Sequence, residues 1–347
     1  MRVGAIITVA AEDQGRGTLN DETPSQNLFS LGISPVVCQE FLGQTLLQRT
    51  RHSLREAGVE QQTVLFEPPG SKSLIPSGCG TAESFSSAWE TAVAQQLNDG
   101  AGVLFLIRLG AYLEIDFRDL LSFHREASNG LTQVYGKKNA FDLGVVSANQ
   151  LRTEAGSYRR RLSALIPQSR RYDFSGYSNR LREPGDLRRF AYDALTGRNA
   201  IRPNGDQLGP SIWIGDGANV DPSASLFAPV YIGANTQIKA ACMINAGTTI
   251  ERDCEVDFGT TVTDSSVLPG TYVGVGLNIV HSIVAPNRLF HLDRNVGMDI
   301  SDAHLIGSRL STSILAGFTK SIRKKSSLKR SHQQLTGDSV ASLEEQF

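Results

Sequence analysis

Two stretches of this 347-residue chain carry side chains suited to holding an anion. The first is Gly15-Arg16-Gly17-Thr18. Backbone N–H groups flanked by glycine can approach a phosphate with no Cβ in the way, and Arg16 adds a positive charge. The second runs from Arg152 to Arg202, where twelve arginines and no lysine stand with five acids, a local excess of +7. Tyr158, Tyr172, Tyr177 and Tyr192 are interleaved with them. A guanidinium grips phosphate in bidentate fashion, so this stretch, Arg180 and Arg182 included, is a candidate phosphate contact. The competing reading is a solvated face with interdomain ion pairs. Glu114 and Asp116 are candidate ligands for a divalent cation, and Asp116 is also placed to cap a helix starting at Phe117. Of the six histidines, His281, His291 and His304 fall late in the chain, where a lone histidine is more often a packed or surface residue than a catalytic one. Cys38, Cys79, Cys242 and Cys254 are far apart with no CxxC pair, which argues for free, packed thiols rather than a zinc site or a disulfide framework.

Positioning these residues falls first to an alternation of strands and helices. Val3–Ala10 is a continuous, β-branched apolar run, as expected of a strand buried on both faces. Leu46–Gly58 reads as an amphipathic helix stopped by glycine, and Gln62–Phe66 as the next strand. A helix over Ser84–Leu97, a strongly apolar strand over Gly102–Leu109 and a helix over Phe117–Ser128 follow. The pattern predicts a parallel α/β sheet that binds ligands at the carboxyl ends of its strands. The Gly15–Thr18 loop follows the first of these strands.

The second half has a different rhythm. Ile214, Val220, Leu226, Ile232, Ile238, Ile244, Ile250, Val256, Val262 and Leu268 are spaced by six, and all ten are aliphatic. At a hydrophobic fraction of 40%, chance would give this about once in ten thousand tries. Four residues after each of the first nine comes something small or slim: Ala218, Ala224, Val230, Thr236, Cys242, Thr248, Cys254, Thr260, Ser266. This is a hexapeptide repeat, predicting a parallel β-helix whose anchors point into a triangular core, three faces to a coil of about eighteen residues. Gly215 and Gly233 follow their anchors where a tight bend is expected. A less regular coil continues through Val273, Ile279, Val284 and Leu289.

The order of these parts carries a resemblance. After the Gly-Arg-Gly-Thr loop come Phe41-Leu-Gly-Gln-Thr-Leu-Leu-Gln-Arg-Thr50, Glu56-Ala-Gly-Val59 and Gly80-Thr-Ala82. Then follow Val103-Leu-Phe-Leu-Ile107 leading to Gly110, Asp116-Phe-Arg-Asp-Leu-Leu-Ser-Phe-His124, Gly144-Val-Val146 and the hexapeptide block. The chain resembles the sugar-1-phosphate nucleotidyltransferases (NDP-sugar pyrophosphorylases), nearest in layout to the mannose-1-phosphate guanylyltransferase-like group, over about residues 1–290. The resemblance implies a Rossmann-like nucleotidyltransferase domain followed by a left-handed parallel β-helix. It implies the reaction of an NTP with a sugar 1-phosphate to NDP-sugar and pyrophosphate with Mg²⁺. It also implies nucleotide contacts at Gly15, Arg16, Gly17, Thr18, Gly80, Thr81 and Gly110.

Against that pattern the chemical positions have changed. The family's triphosphate-neutralising lysine is matched by Val36, its first metal aspartate by Ala111, and its second by Arg180. Valine and alanine offer neither charge nor lone pair to a phosphate or a hard cation. The expectation is therefore a nucleotide- or nucleotide-sugar-binding protein, either a divergent enzyme that uses Mg²⁺ or a non-catalytic relative with a regulatory or scaffolding role, with Arg180 and Arg182 replacing metal charge at a sugar-phosphate site. Its expected protein partner is a second copy of itself or a catalytic paralogue. The alternatives are a hexapeptide-repeat acyltransferase working through His281 and a purely structural oligomerisation protein. The formal net charge of −1 points to neither nucleic acid nor a membrane surface, and the N-terminal run is too short for a signal peptide, so a cytoplasmic location is expected. The domains are placed at 1–205 and 208–310, with a polar basic tail at 317–347.

Overall fold

The computed structural model describes residues 2–9, 35–67, 81–126, 130–137, 139–152 and 157–309. The Gly15–Thr18 loop, Gly80, Cys79 and the tail after 317 lie outside them.

The first half is one six-stranded sheet with helices on both sides. Its strands are β1 (Arg2–Val9), β2 (Gln61–Phe66), β3 (Ala101–Leu109), β4 (Leu131–Tyr135), β5 (Ala140–Ser147) and β6 (Arg170–Asp173), in the spatial order β2-β1-β3-β5-β4-β6. β1 pairs in parallel with β2 and β3, and β4 with β6. The expectation of an all-parallel sheet is corrected at β5, which runs antiparallel to both β3 and β4. A run of valines cannot report strand direction, because either direction buries the same side chains.

The helices are α1 (Leu46–Glu56), α2 (Thr81–Asn98), α3 (Phe117–Glu126), α4 (Ala148–Arg152), α5 (Tyr158–Leu165) and α6 (Pro184–Leu195). α1 starts on a reciprocal capping pair, Thr45 accepting from the Gln48 N–H while the Gln48 side chain accepts from Thr45, which satisfies two otherwise orphaned donors. The alternation along β1 sorts the core. Ala5, Ile7 and Val9 join the cluster with α1 and α3, whereas Ile6 meets Trp89 and Val93 of α2. α5 and α6, inside the arginine-rich stretch, have no counterpart in the sequence reading. Charged residues mask their apolar faces, and α6 opens on Pro-Gly, a signal shared with turns.

From Asp206 the chain builds short parallel strands in three ladders. The first comprises Ile212–Ile214, Val230–Ile232, Thr248–Ile250, Ser266–Val267 and Ser282–Ala285; the second passes through Asn219, Gln237, Glu255 and Tyr272; the third through Ser225, Met243, Thr261 and Asn278. Early pairs are eighteen residues apart, such as Ile232 with Ile250. The spacing then shortens by one. Ile250 pairs with Val267, not Leu268, and Val256 with Val273. Leu268 as the tenth anchor is thus corrected. Because side chains alternate, a one-residue slip turns it outward, where it is 3% exposed in the cluster shared with the α/β half. Antiparallel strands close the ends: Asp206–Gly209 at one, Arg288–His291, Val296–Asp299 and Ile306–Ser308 at the other.

The slim positions form a column of buried donors. Thr236 Oγ1 donates to the Glu251 carbonyl at 2.7 Å and accepts from the Cys254 N–H at 3.2 Å. The thiols of Cys242 and Cys254 donate to the carbonyls of Asp257 (3.0 Å) and Leu268 (3.1 Å). Burial pushes the Cys254 thiol up to about 12, so it stays protonated and both thiols are free, as expected. A Thr236→Val variant keeps the shape and strands the Cys254 N–H. It is expected to lose about 1–3 kcal/mol in urea unfolding with an unchanged m value.

The bends are not where the glycines were read. Left-handed backbone falls at Asn235, Ala241, Gly247, Asp253, Gly259 and Asp264. Gly215 and Gly233 are needed instead for close approach. A Cβ on Gly215 would stand 2.5 Å from the Ala234 nitrogen, and one on Gly233 2.5 Å from the Arg252 nitrogen.

The halves share one apolar cluster, in which Phe41, Leu42, Leu187 and Phe190 meet Tyr231, Leu268, Ile283 and Phe290. Among the described residues, no helix is long and apolar enough to cross a membrane.

Candidate functional site

The connection from β1 to β2 lies on one side of β1 and the return to β3 on the other, so the sheet has its switch point at the carboxyl ends of β1 and β3. Those ends are level, with Val9 opposite both Phe66 and Leu109. Gly110 therefore stands on the rim beside the point where residues 10–34 leave β1. Thr81 begins α2, and its side chain is outside the described set.

The structure brings two of the predicted positions together. Tyr112–Leu113 pairs antiparallel with Ser178–Asn179, in the register Asn179 to Tyr112. The Glu114 N–H donating to the Tyr177 carbonyl at 3.0 Å belongs to the same register. Arg180 and Ala111 leave this two-residue ladder at the same end, Ala111 directly after Gly110. Buried Asn179 shapes the turn: its Oδ1 accepts from the Leu181 N–H and its Nδ2 donates to the Asp186 carbonyl, both at 2.9 Å. Arg180 is exposed on this turn. Arg182 is exposed too, its N–H engaged by Asp186 at 3.2 Å.

The carboxylates go elsewhere. Asp116 Oδ1 accepts from the N–H groups of Arg118 (2.8 Å) and Asp119 (3.3 Å), the capping role. Glu114 Oε2 accepts from the Ala200 N–H at 2.9 Å, pinning the segment after α6. Among the described residues no group of three His, Cys, Asp or Glu is placed to hold a metal. Val36 is buried at 4% exposure with the core.

Arg108 was not picked out from the sequence. Its Nε donates to Glu67 Oε2 at 2.7 Å and its Nη1 reaches Asp142 at 3.3 Å, with the Glu67 carboxylate fully buried at the end of β2. The available signal was a lone arginine inside the apolar run of β3. Most of the other arginines in the 152–202 stretch serve the fold. Arg170 stacks on Phe123 at 3.7 Å, Arg171 on Tyr135 at 4.7 Å, Arg189 pairs with Asp186, and Arg188 ties α6 to the ladders. For these the bland reading holds.

His281 has carboxylates on both sides of its ring: Nδ1 donates to Asp264 Oδ2 at 2.6 Å, while Nε2 lies 3.4 Å from Asp293 Oδ1. The Asp264 contact would orient a base, but the nitrogen that would meet a substrate faces a second carboxylate. His124 is a satisfied core residue between Thr132 Oγ1 (2.8 Å) and Ser147 Oγ (2.9 Å), its pKa lowered by burial. Compared with known proteins, the chain matches no family model and none of the curated proteins.

Proposed function

We infer that this chain is a sugar-nucleotide-binding protein of the nucleotidyltransferase type, a Rossmann-like half followed by a left-handed parallel β-helix. Its role is regulatory or scaffolding rather than catalytic. The supporting fold features are the switch point between β1 and β3 and the ladders that return every seventeen or eighteen residues. One observation carries the functional reading. The ladder end after Gly110 carries Ala111 and the exposed Arg180, while Glu114 and Asp116 each accept from backbone N–H groups. A guanidinium near the strand ends suits a nucleoside diphosphate held directly and not through a metal ion.

Calorimetry with nucleoside diphosphates and NDP-hexoses tests this. Binding is expected to be the same in Mg²⁺ and in EDTA, and about tenfold weaker in Arg180→Ala, the low end for a charged hydrogen bond because Arg180 is exposed. Pyrophosphate turnover at ordinary enzyme rates with any NTP and hexose 1-phosphate would reject the non-catalytic version. The expected protein partner is a second copy or a catalytic paralogue.

The Asp264–His281 pair favours one other reading, an acyltransferase. Acyl-CoA binding that disappears in His281→Ala would support it. Absence of affinity for every nucleotide and acyl donor would leave a structural assembly role.

A further inference from the structure

The joint between the two halves encloses a carboxyl group. Glu251 follows Thr248–Ile250 and is 2% exposed. Its Oε1 accepts from the Leu42 N–H at 2.9 Å, and the next N–H, that of Gly43, also favours the charged form. Oε2 has no partner among the described residues. The turn that it holds is tight. Leu42 and Gly43 are left-handed at φ 53° and 83°, and a Cβ on Gly43 would stand 2.6 Å from Asn204 Cβ and 2.8 Å from Tyr231 Oη.

The charged and titratable neighbours are Glu40 and Arg49 from the α/β half and Tyr231, Arg252 and Cys254 from the ladders, with Tyr112 beyond Arg49. Neither cation forms an ion pair with Glu251, although the Nε of Arg49 is buried without a hydrogen-bond partner among the described residues. Arg252 bonds Glu40 and, at 2.8 Å, Asp253. Arg49 gives its Nη2 to the carbonyls of Phe41 (3.1 Å) and Leu42 (3.2 Å) and its Nη1 to that of Arg202 (3.4 Å). A negative charge on Glu251 would therefore be buried without an ion pair and with Glu40 close by.

We propose that the joint is proton-dependent: Glu251 docks on the Leu42–Gly43 turn as the neutral acid, and loss of its proton loosens the ladders from the α/β half. Burial, reinforced by Glu40, lifts this carboxyl from its ordinary 4.5 to about 8, against the pull of the two N–H donors and Arg49. Between those two values the folded chain keeps a proton that the unfolded chain has released. Stability therefore falls as the pH rises from about 4.5 to about 8 and levels off above.

The test compares thermal unfolding of the full chain and of E251Q from about pH 5 to pH 9. Glutamine copies the neutral acid, so E251Q should match the wild type at pH 5 within about 2 °C and exceed it by about 5 °C or more at pH 9. Trp213 packs against the shared cluster and, in a W89F background, reports on the joint alone. Its emission should shift to the red at pH 9, below the unfolding temperature, when Glu251 is present and not when E251Q is added to that background. E251Q lying below the wild type by a constant amount at every pH would overturn the proposal, since the carboxyl would then be docked as an anion. So would pH profiles that fall in parallel.

Discussion

An R188M variant should unfold with about 3 kcal/mol less stability than the wild type and a midpoint lower by about 5–10 °C. Arg188 projects from α6, is 5% exposed, and spans the two halves. Its Nε donates to the Asp264 carbonyl at 3.1 Å, and its Nη2 donates to the Gly247 carbonyl and Asp264 Oδ1. The guanidinium lies 5.6 Å from the Tyr192 ring centroid. Burial lowers the arginine pKa and Asp264 partly restores it, so the charge is tolerated because of its partner. Methionine replaces the stem but leaves two carbonyls without their donor. Asp264 is left with His281, and because it is 38% exposed water can reach it, which keeps the expected loss at the low end for a broken buried pair. Asp264→Asn should cost less, since Arg188 keeps both carbonyls. A midpoint unmoved in R188M would mean that the apolar cluster around Phe190, Tyr231 and Ile283 holds the halves alone.

The second large effect belongs to Gly233→Ala. The added Cβ would stand 2.5 Å from the Glu251 carbonyl carbon and the Arg252 nitrogen, backbone atoms of the next ladder strand that cannot step aside. Relief requires spreading the Ile232–Ile250 pairing, at a cost of about 3 kcal/mol or more in urea unfolding. Gly259→Ala is the comparison. Gly259 is left-handed at φ 68° with nothing within 4 Å of the added atom, so its cost is the conformational one, about 1 kcal/mol. Equal losses in the two variants would mean that the ladders yield readily between rounds.

Both effects turn on contacts that no local pattern announces, and this marks how far the residues could be read on their own. The hexad of aliphatic residues was legible because the period is set by the backbone: each short strand returns one inward side chain, whatever the surface carries. The apolar strands and α1 were legible for the same reason, their burial imposing a two- or 3.6-residue rhythm. The exchange of Val267 for Leu268 was not, because both are aliphatic and either satisfies the pattern. Only pairing with Ile250 decides which one faces inward. Direction in β5 was likewise undetermined until its neighbours were known.

At the candidate site, the chain itself determined which side chains are present: Ala111 after Gly110, the carboxylates of Glu114 and Asp116, and an excess of arginine around Arg180. Tertiary structure decided what those residues do. It put Arg180 and Ala111 at one end of a two-residue ladder, used Asp116 as a cap and Glu114 as a pin, and buried Arg188 against Asp264. It brought Glu251 to Leu42 across 209 residues of sequence. Residue type limits what a side chain can offer, but the partner that consumes the offer comes from elsewhere in the chain, and that pairing exists only once the two halves have packed.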